Sequence, residues 1–206
     1  MSAVSPAVPR RLVLADRVLP RHLVTDIALV VLGAALVGGL AQLYVPLWPV
    51  PITGQTLGVL LVGSTLGAVR GGLSMLAYAV IGVAGVPWFS EADSGWGVIA
   101  GPTGGYIAGF MLSAVLVGWL AERSWDRHLW KALATFAAGT LATFAIGLPW
   151  LAFYLGSVGT PNDVQSVLAA GFYPFLIGGA VKAVIAAGLL PLAWWTAGRL
   201  SRARRD

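Results

Sequence analysis

The sequence predicts an all-α fold, a polytopic membrane protein with six transmembrane helices and both termini cytoplasmic. Three observations carry that reading. Of the 206 residues, 58% are hydrophobic and only 10% are charged, against roughly 45–50% apolar and about 25% charged in soluble domains. No charged side chain occurs from Ile27 to Val69, so the apolar surface runs around whole helices and not along one stripe, as lipid-exposed helices require. Finally, twelve of the thirteen Lys and Arg residues fall on one side of a six-crossing arrangement, which is how cytoplasmic loops are marked.

Taken in order, the apolar segments cover residues 23–44, 55–69, 71–86, 104–121, 129–155 and 172–198. Residues 1–22 read as a cytoplasmic tail containing Pro and Arg, partly disordered, and residues 200–206 as a basic cytoplasmic tail, leaving 23–199 as the transmembrane domain. The second and third segments are too short to cross about 30 Å of hydrocarbon upright at about 1.5 Å per residue, so they are expected to form a bent pair. Arg10, Arg11, Arg17 and Arg21 precede the first segment and Arg70 lies between the second and third. Arg123, Arg127 and Lys131 lie between the fourth and fifth, and Arg199, Arg202, Arg204 and Arg205 end the chain. The opposite side receives Glu91, Asp93 and Asp163 and no basic residue. These features place the chain as a multi-pass membrane protein in contact with lipid, with its basic side cytoplasmic.

Several chemistries are excluded. The net charge of +5 sits in short loops beside apolar spans, so it marks membrane orientation and not nucleic-acid binding. Without cysteine there is no thiolate nucleophile or sulfur-held metal. No Gly-rich loop ending in Gly-Lys-Ser/Thr occurs, so the chain has no visible means of hydrolysing ATP. His22 and His128 lie near helix ends, which removes Ser–His and zinc chemistry from the membrane interior. No acidic residue falls mid-span, Asp26 being close to an end, and ion-coupled carriers usually need one. The expectation is a protein that is not an enzyme and carries no metal or cofactor.

What remains is a set of binding features. Lys182 breaks the charge rule, about ten residues into the sixth segment. An ammonium there costs at least about 2.5–3.5 kcal/mol, so it is expected to face a cavity, with an acidic ligand as counter-ion. The alternative is a lysine snorkelling to the outer interface over about 12–15 Å. Between the first two segments, Pro46-Leu-Trp-Pro-Val-Pro-Ile-Thr-Gly-Gln55 is uncharged and stiffened by proline. It predicts a fixed, non-helical lid or re-entrant turn presenting Thr53, Gln55 and Thr56, with a plain connector as the alternative. A second uncharged stretch, Gly97-Val-Ile-Ala-Gly-Pro-Thr-Gly-Gly-Tyr106, brings Gly101, Thr103, Gly105 and Tyr106 to the start of the fourth segment. Its glycines allow close backbone approach to a ligand. Trp88, Phe89 and Trp96 nearby read either as an interface belt or as cavity walls. Ala34, Ala35, Gly38 and Gly39 form a small-residue surface on the first segment, suited to internal packing or to a docked partner.

Together, Pro49-Val-Pro-Ile-Thr-Gly-Gln-Thr-Leu-Gly-Val-Leu-Leu61, Gly101-Pro-Thr-Gly-Gly-Tyr106 and Pro174-Phe-Leu-Ile-Gly-Gly-Ala-Val-Lys182 resemble the BioY family of biotin-binding substrate-capture (S) components. The resemblance runs from the first segment to the sixth. It implies a six-helix substrate-binding domain with its cavity toward the outer face and biotin as ligand. It also implies partners: the transmembrane coupling protein and two ATPase subunits of an energy-coupling factor (ECF) module. Biotin uptake in that assembly is the expected function; a stand-alone facilitator is the alternative. Tyr173 and Gly179 join the candidate ligand set beside Lys182. At Gly179 the sequence departs from the family, which usually has an acidic residue three positions before the lysine, and so the polar recognition of the ligand's ring is altered.

Overall fold

The computed structural model describes residues 13–203, with side chains through Ala197. Helix α1 (Leu14–Val18) is followed by α2 (Leu23–Ala41), a two-stranded antiparallel hairpin of β1 (Tyr44–Val45) and β2 (Ile52–Thr53), α3 (Gln55–Leu66) and α4 (Ala68–Val83). A 3-10 turn at Ser90–Ala92 and α5 (Trp96–Ala100) lead to α6 (Gly104–Ala121). A second 3-10 turn at Trp125–Arg127 leads to α7 (Leu129–Ser157), α8 (Val164–Gly171) and α9 (Tyr173–Ala203). The fold is all-α apart from the hairpin. Four helices, α2, α6, α7 and α9, are long and apolar enough to cross a membrane, while α3 and α4 are shorter.

The bend between the second and third segments falls at Gly67, not at Arg70 as expected: the φ of 87° there suits glycine, and Arg70 lies within α4. Helix α3 ends there and α4 turns back from it. Helix α6 lies at the centre, packed on α3, α4 and α7. Close packing depends on small residues facing backbone, as between membrane helices generally. A Cβ on Gly63 would stand 2.8 Å from the Ala114 carbonyl oxygen, and one on Gly109 2.6 Å from that of Thr143.

One end of the bundle is tied by charge. Arg70, at the start of α4, pairs with Asp16 of α1 and with Asp26 of α2, the latter at 3.1 Å, and Arg21 also pairs with Asp16. Burial alone would push the Asp16 carboxyl up, but the two guanidinium groups outweigh it and hold the group below the ordinary carboxylate range. Glu122 accepts a hydrogen bond from the Ala68 amide at 3.0 Å. Across the same end, Trp194 of α9 donates to the buried Asp126, with Arg127 stacked on its ring at 4.1 Å.

Three expectations change. Residues 14–18 are not irregular tail but the helix α1, with Val13 buried against the bundle, because the Asp16–Arg70 pair fastens it there. Arg10, Arg11, Arg204 and Arg205 lie outside the described residues. The 158–172 connection contains α8, whose N-cap Asp163 accepts from the amides of Gln165 and Ser166 at 3.0 and 3.1 Å. The last helix continues through Pro191 to Ala203.

Candidate functional site

The hairpin carries Pro46–Gln55 from an exposed first part, Pro46 to Trp48, into the bundle at Pro49 and Val50. Strands β1 and β2 fold the segment back over the end of α2, where the Gly54 amide donates to the Leu43 carbonyl at 2.8 Å. This delivers Thr53 and Gln55 to the interior, 8% and 7% exposed. The Thr53 hydroxyl donates to Gln55 Oε1 at 2.7 Å, and Gln55 Nε2 donates to the Tyr78 hydroxyl at 2.6 Å. Both polar side chains are thus oriented by bonds within the protein itself.

Opposite them stands Lys182 on α9. Its Nζ donates to the Thr53 carbonyl and, at 3.0 Å, to the Thr56 hydroxyl. The ammonium is directed inward at the hairpin–α3 junction, which is the cavity-facing reading and not snorkelling. No carboxylate is paired with it among the described residues. An ammonium carries three donors, and these two contacts leave one for a ligand.

These residues border a cavity of about 260 Å³. The motif leading into α6 forms a second wall with Gly97, Gly101, Thr103 and Tyr106. Its shape is fixed from outside: Trp150 donates to the Gly101 carbonyl at 2.8 Å, and the Tyr106 hydroxyl donates to the Gly171 carbonyl at 2.9 Å. An aromatic wall completes the enclosure, with Phe175 stacked on Tyr106 at 6.2 Å and Phe144 edge-on to Tyr106 at 6.1 Å. Exposed Glu91 and Asp93 stand at the rim.

Of the sequence-predicted residues, the fold brings Thr53, Gln55, Thr56, Phe89, Gly101, Thr103, Tyr106 and Lys182 around one cavity. Five others lie elsewhere, among them Trp96, which is exposed. Trp88 packs on Gly38 and donates from Nε1 to the Tyr78 carbonyl at 3.0 Å; its ring seals α2 against α4 and does not line the cavity. Gly105 faces Trp150 of α7, where it permits helix approach. Tyr173 is 51% exposed, at the start of α9. Gly179 is one turn from Lys182, and a Cβ built on it would meet nothing within 4 Å.

The small-residue face of α2 is split. Ala34 and Gly38 are buried against the bundle, so they pack internally and cannot receive a partner. Ala35 and Gly39 are exposed.

Sequence reasoning missed Thr140, Thr143 and Phe144 on α7 and Phe175 on α9, all cavity-lining. Phe175 was detectable, since it precedes Lys182 by seven residues and so shares its helix face. The α7 residues carried no comparable signal.

The chain matches the BioY family over residues 11–199. It is 36% identical over 160 residues to a biotin transporter BioY of Thermotoga maritima, spanning 78% of this chain and 86% of that protein. To a biotin transporter BioY2 of Lactococcus lactis it is 34% identical over 165 residues, spanning 78% and 85%. Its fold is similar to a crystal structure of the S-component for biotin from an ECF-type ABC transporter. The TM-score is 0.70 at 21% identity, over 89% of this chain and 92% of the other. With its long apolar helices, the chain is a multi-pass integral protein of the bacterial cytoplasmic membrane, and it belongs to the BioY family.

Proposed function

We propose that this chain captures biotin in the cavity between the hairpin, α6 and α9, and serves as the substrate-specific subunit of an ECF-type transporter. The observation that carries the reading is the cavity itself: about 260 Å³, with aromatic walls and one cationic side chain, Lys182. That is slightly below the roughly 300–1,000 Å³ of common small-molecule pockets, and its make-up follows their pattern of apolar walls with a few placed polar groups. It suits a ligand with a compact apolar body, a few hydrogen-bonding atoms and one carboxylate, and biotin has all of these. Acidic Glu91 and Asp93 at the rim disfavour a carboxylate there, so the ligand's acid points inward to Lys182. The names of the similar transporters support the same ligand.

Saturable binding of biotin to the purified, folded protein is the expected result of calorimetric titration. Absence of binding at millimolar biotin overturns the reading.

The same proposal includes six crossings with both termini cytoplasmic, a 23–199 binding domain and short cytoplasmic tails. It is supported by the one-sided basic residues and by the single end at which α1, α2, α4 and α6 are joined through Arg70 and Glu122. Because the chain has no native cysteine, single cysteines report cleanly. One at Thr160 should react with an impermeant maleimide in intact cells, and one at Ser124 only after permeabilisation. The opposite pattern rejects the orientation.

A further inference from the structure

The turn at the cavity rim is strained and is held by a residue outside the cavity. Glu91 and Ala92 adopt φ values of 65° and 56°, a region that side chains other than Gly, Asn and Asp rarely occupy. Two such residues in succession persist only where the surroundings enforce them. Within the turn the Phe89 amide donates to the Asp93 carbonyl at 3.1 Å and the Asp93 amide to the Ser90 carbonyl at 3.3 Å, while the buried Ser90 hydroxyl finds no partner among the described residues.

Phe89 is buried in the core and the Gly95 amide donates to the Gly82 carbonyl at 2.8 Å, but between Phe89 and Asp93 the side-chain hydrogen bonds that reach the turn come from Gln42, the residue that caps the C-terminus of α2. Its Oε1 accepts from the Ala92 amide at 3.1 Å. Its Nε2, with two hydrogens to share, lies within hydrogen-bond distance of three carbonyls: Phe89 at 2.9 Å, Trp88 at 3.2 Å and Gly38 at 3.1 Å. One amide group therefore grips both ends of the strained turn and anchors it to α2. Phe89, Ser90, Glu91 and Asp93 of that stretch line the cavity, whereas Gln42 does not.

We propose that Gln42 is a positioning residue for the ligand site, holding the 88–93 rim in its binding-competent conformation from the end of α2. The ligand part of this inference rests on the biotin reading; the clamp itself does not. Freed of Gln42, Glu91 and Ala92 relax toward negative φ and the rim is competent only part of the time. Apparent affinity then falls in proportion to the competent fraction.

The test uses the full-length protein in nanodiscs and has two arms. In the ligand-free protein, Gln42→Ala should speed amide hydrogen exchange across residues 88–93 by about tenfold or more while leaving the middle of α2 unchanged. Unchanged exchange at 88–93 overturns the clamp whether or not biotin binds. In the second arm, Gln42→Ala should weaken biotin binding by about tenfold. The pair Glu91→Asn and Ala92→Gly, residue types that accept positive φ, should bring Gln42→Ala to within about threefold of the same pair carrying Gln42. The common background cancels the lost rim charge. A Gln42→Ala variant that binds biotin as tightly as the parent, or a gap that the pair leaves undiminished, overturns the positioning role. Failure of the parent to bind biotin removes only the ligand assignment, because the exchange arm still decides on the clamp.

Discussion

Lys182→Ala is expected to weaken biotin binding by about ten- to a hundredfold while the protein remains folded. The reasoning starts from placement: the ammonium is part-buried, has no carboxylate partner among the described residues, and uses two of its donors on Thr53 and Thr56. A hydrogen bond to a charged group contributes roughly 1.5–3 kcal/mol, and each 1.4 kcal/mol is tenfold in affinity. Lys182→Met keeps most of the side-chain volume and should show a similar loss, which separates lost charge from lost packing. Titration with biotin amide then assigns the contact. If the acid meets Lys182, the amide binds parent and variant with nearly equal affinity. If the amide loses as much as biotin does, Lys182 reads the ureido ring and the inward-acid orientation is wrong. Unchanged biotin binding in folded Lys182→Ala places the site elsewhere.

Ala35→Trp or Gly39→Trp is expected to reduce ATP-dependent biotin uptake in cells at least tenfold and to leave biotin binding by the purified protein within about twofold. A Cβ on Gly39 meets nothing within 4 Å, so a bulky side chain there projects outward and disturbs neither the bundle nor the cavity. Small exposed residues on a membrane helix permit a partner helix to approach closely, and indole at that position keeps it away. Gly38→Trp is the contrasting variant. Even a Cβ at that position would stand only 3.0 Å from the Trp88 ring, so an indole there should damage folding and binding together. Equal loss of uptake and binding in Gly39→Trp would show that this face serves the fold and not a partner. Uptake that persists at parental level would show that no partner docks there, as in the stand-alone facilitator alternative.

The apolar helices were legible because each sustains its hydrophobicity over a dozen or more residues. The starts at Leu23, Gln55, Gly104 and Leu129 coincide with the structure. The short elements were not. Helices α1, α5 and α8, of 5, 5 and 8 residues, carry too few turns for a periodic signal, and their existence depends on contacts such as Asp16 with Arg70 and Asp163 with its own following amides. The site divides in the same way. Thr53, Gln55 and Lys182 announce themselves as polar residues in apolar surroundings. Trp88 misled because an aromatic beside a polar loop suits a cavity wall and a helix seal equally. Thr140 and Phe144 on α7 look like any other residues of an apolar helix. Only the packing of α7 on α6 turns them toward the cavity.

The unequal lengths of the helices have a consequence for the surrounding lipid. Helices α3 and α4 hold 12 and 16 residues, rising about 18 Å and 24 Å, whereas α7 holds 29 and rises about 43 Å. Much of α3 is enclosed by its neighbours, but Val69, Leu73, Leu76 and Val80 of α4 are exposed. The protein therefore presents a short hydrophobic belt on its α4 side and a tall one on its α7 side. A bilayer meets such mismatch by thinning locally or by letting the protein tilt, at a fraction of a kcal/mol per Å. Acyl-chain length thus becomes a variable that sets the molecule's inclination in the membrane, and with it the angle at which the exposed face of α2 is offered to anything that approaches it.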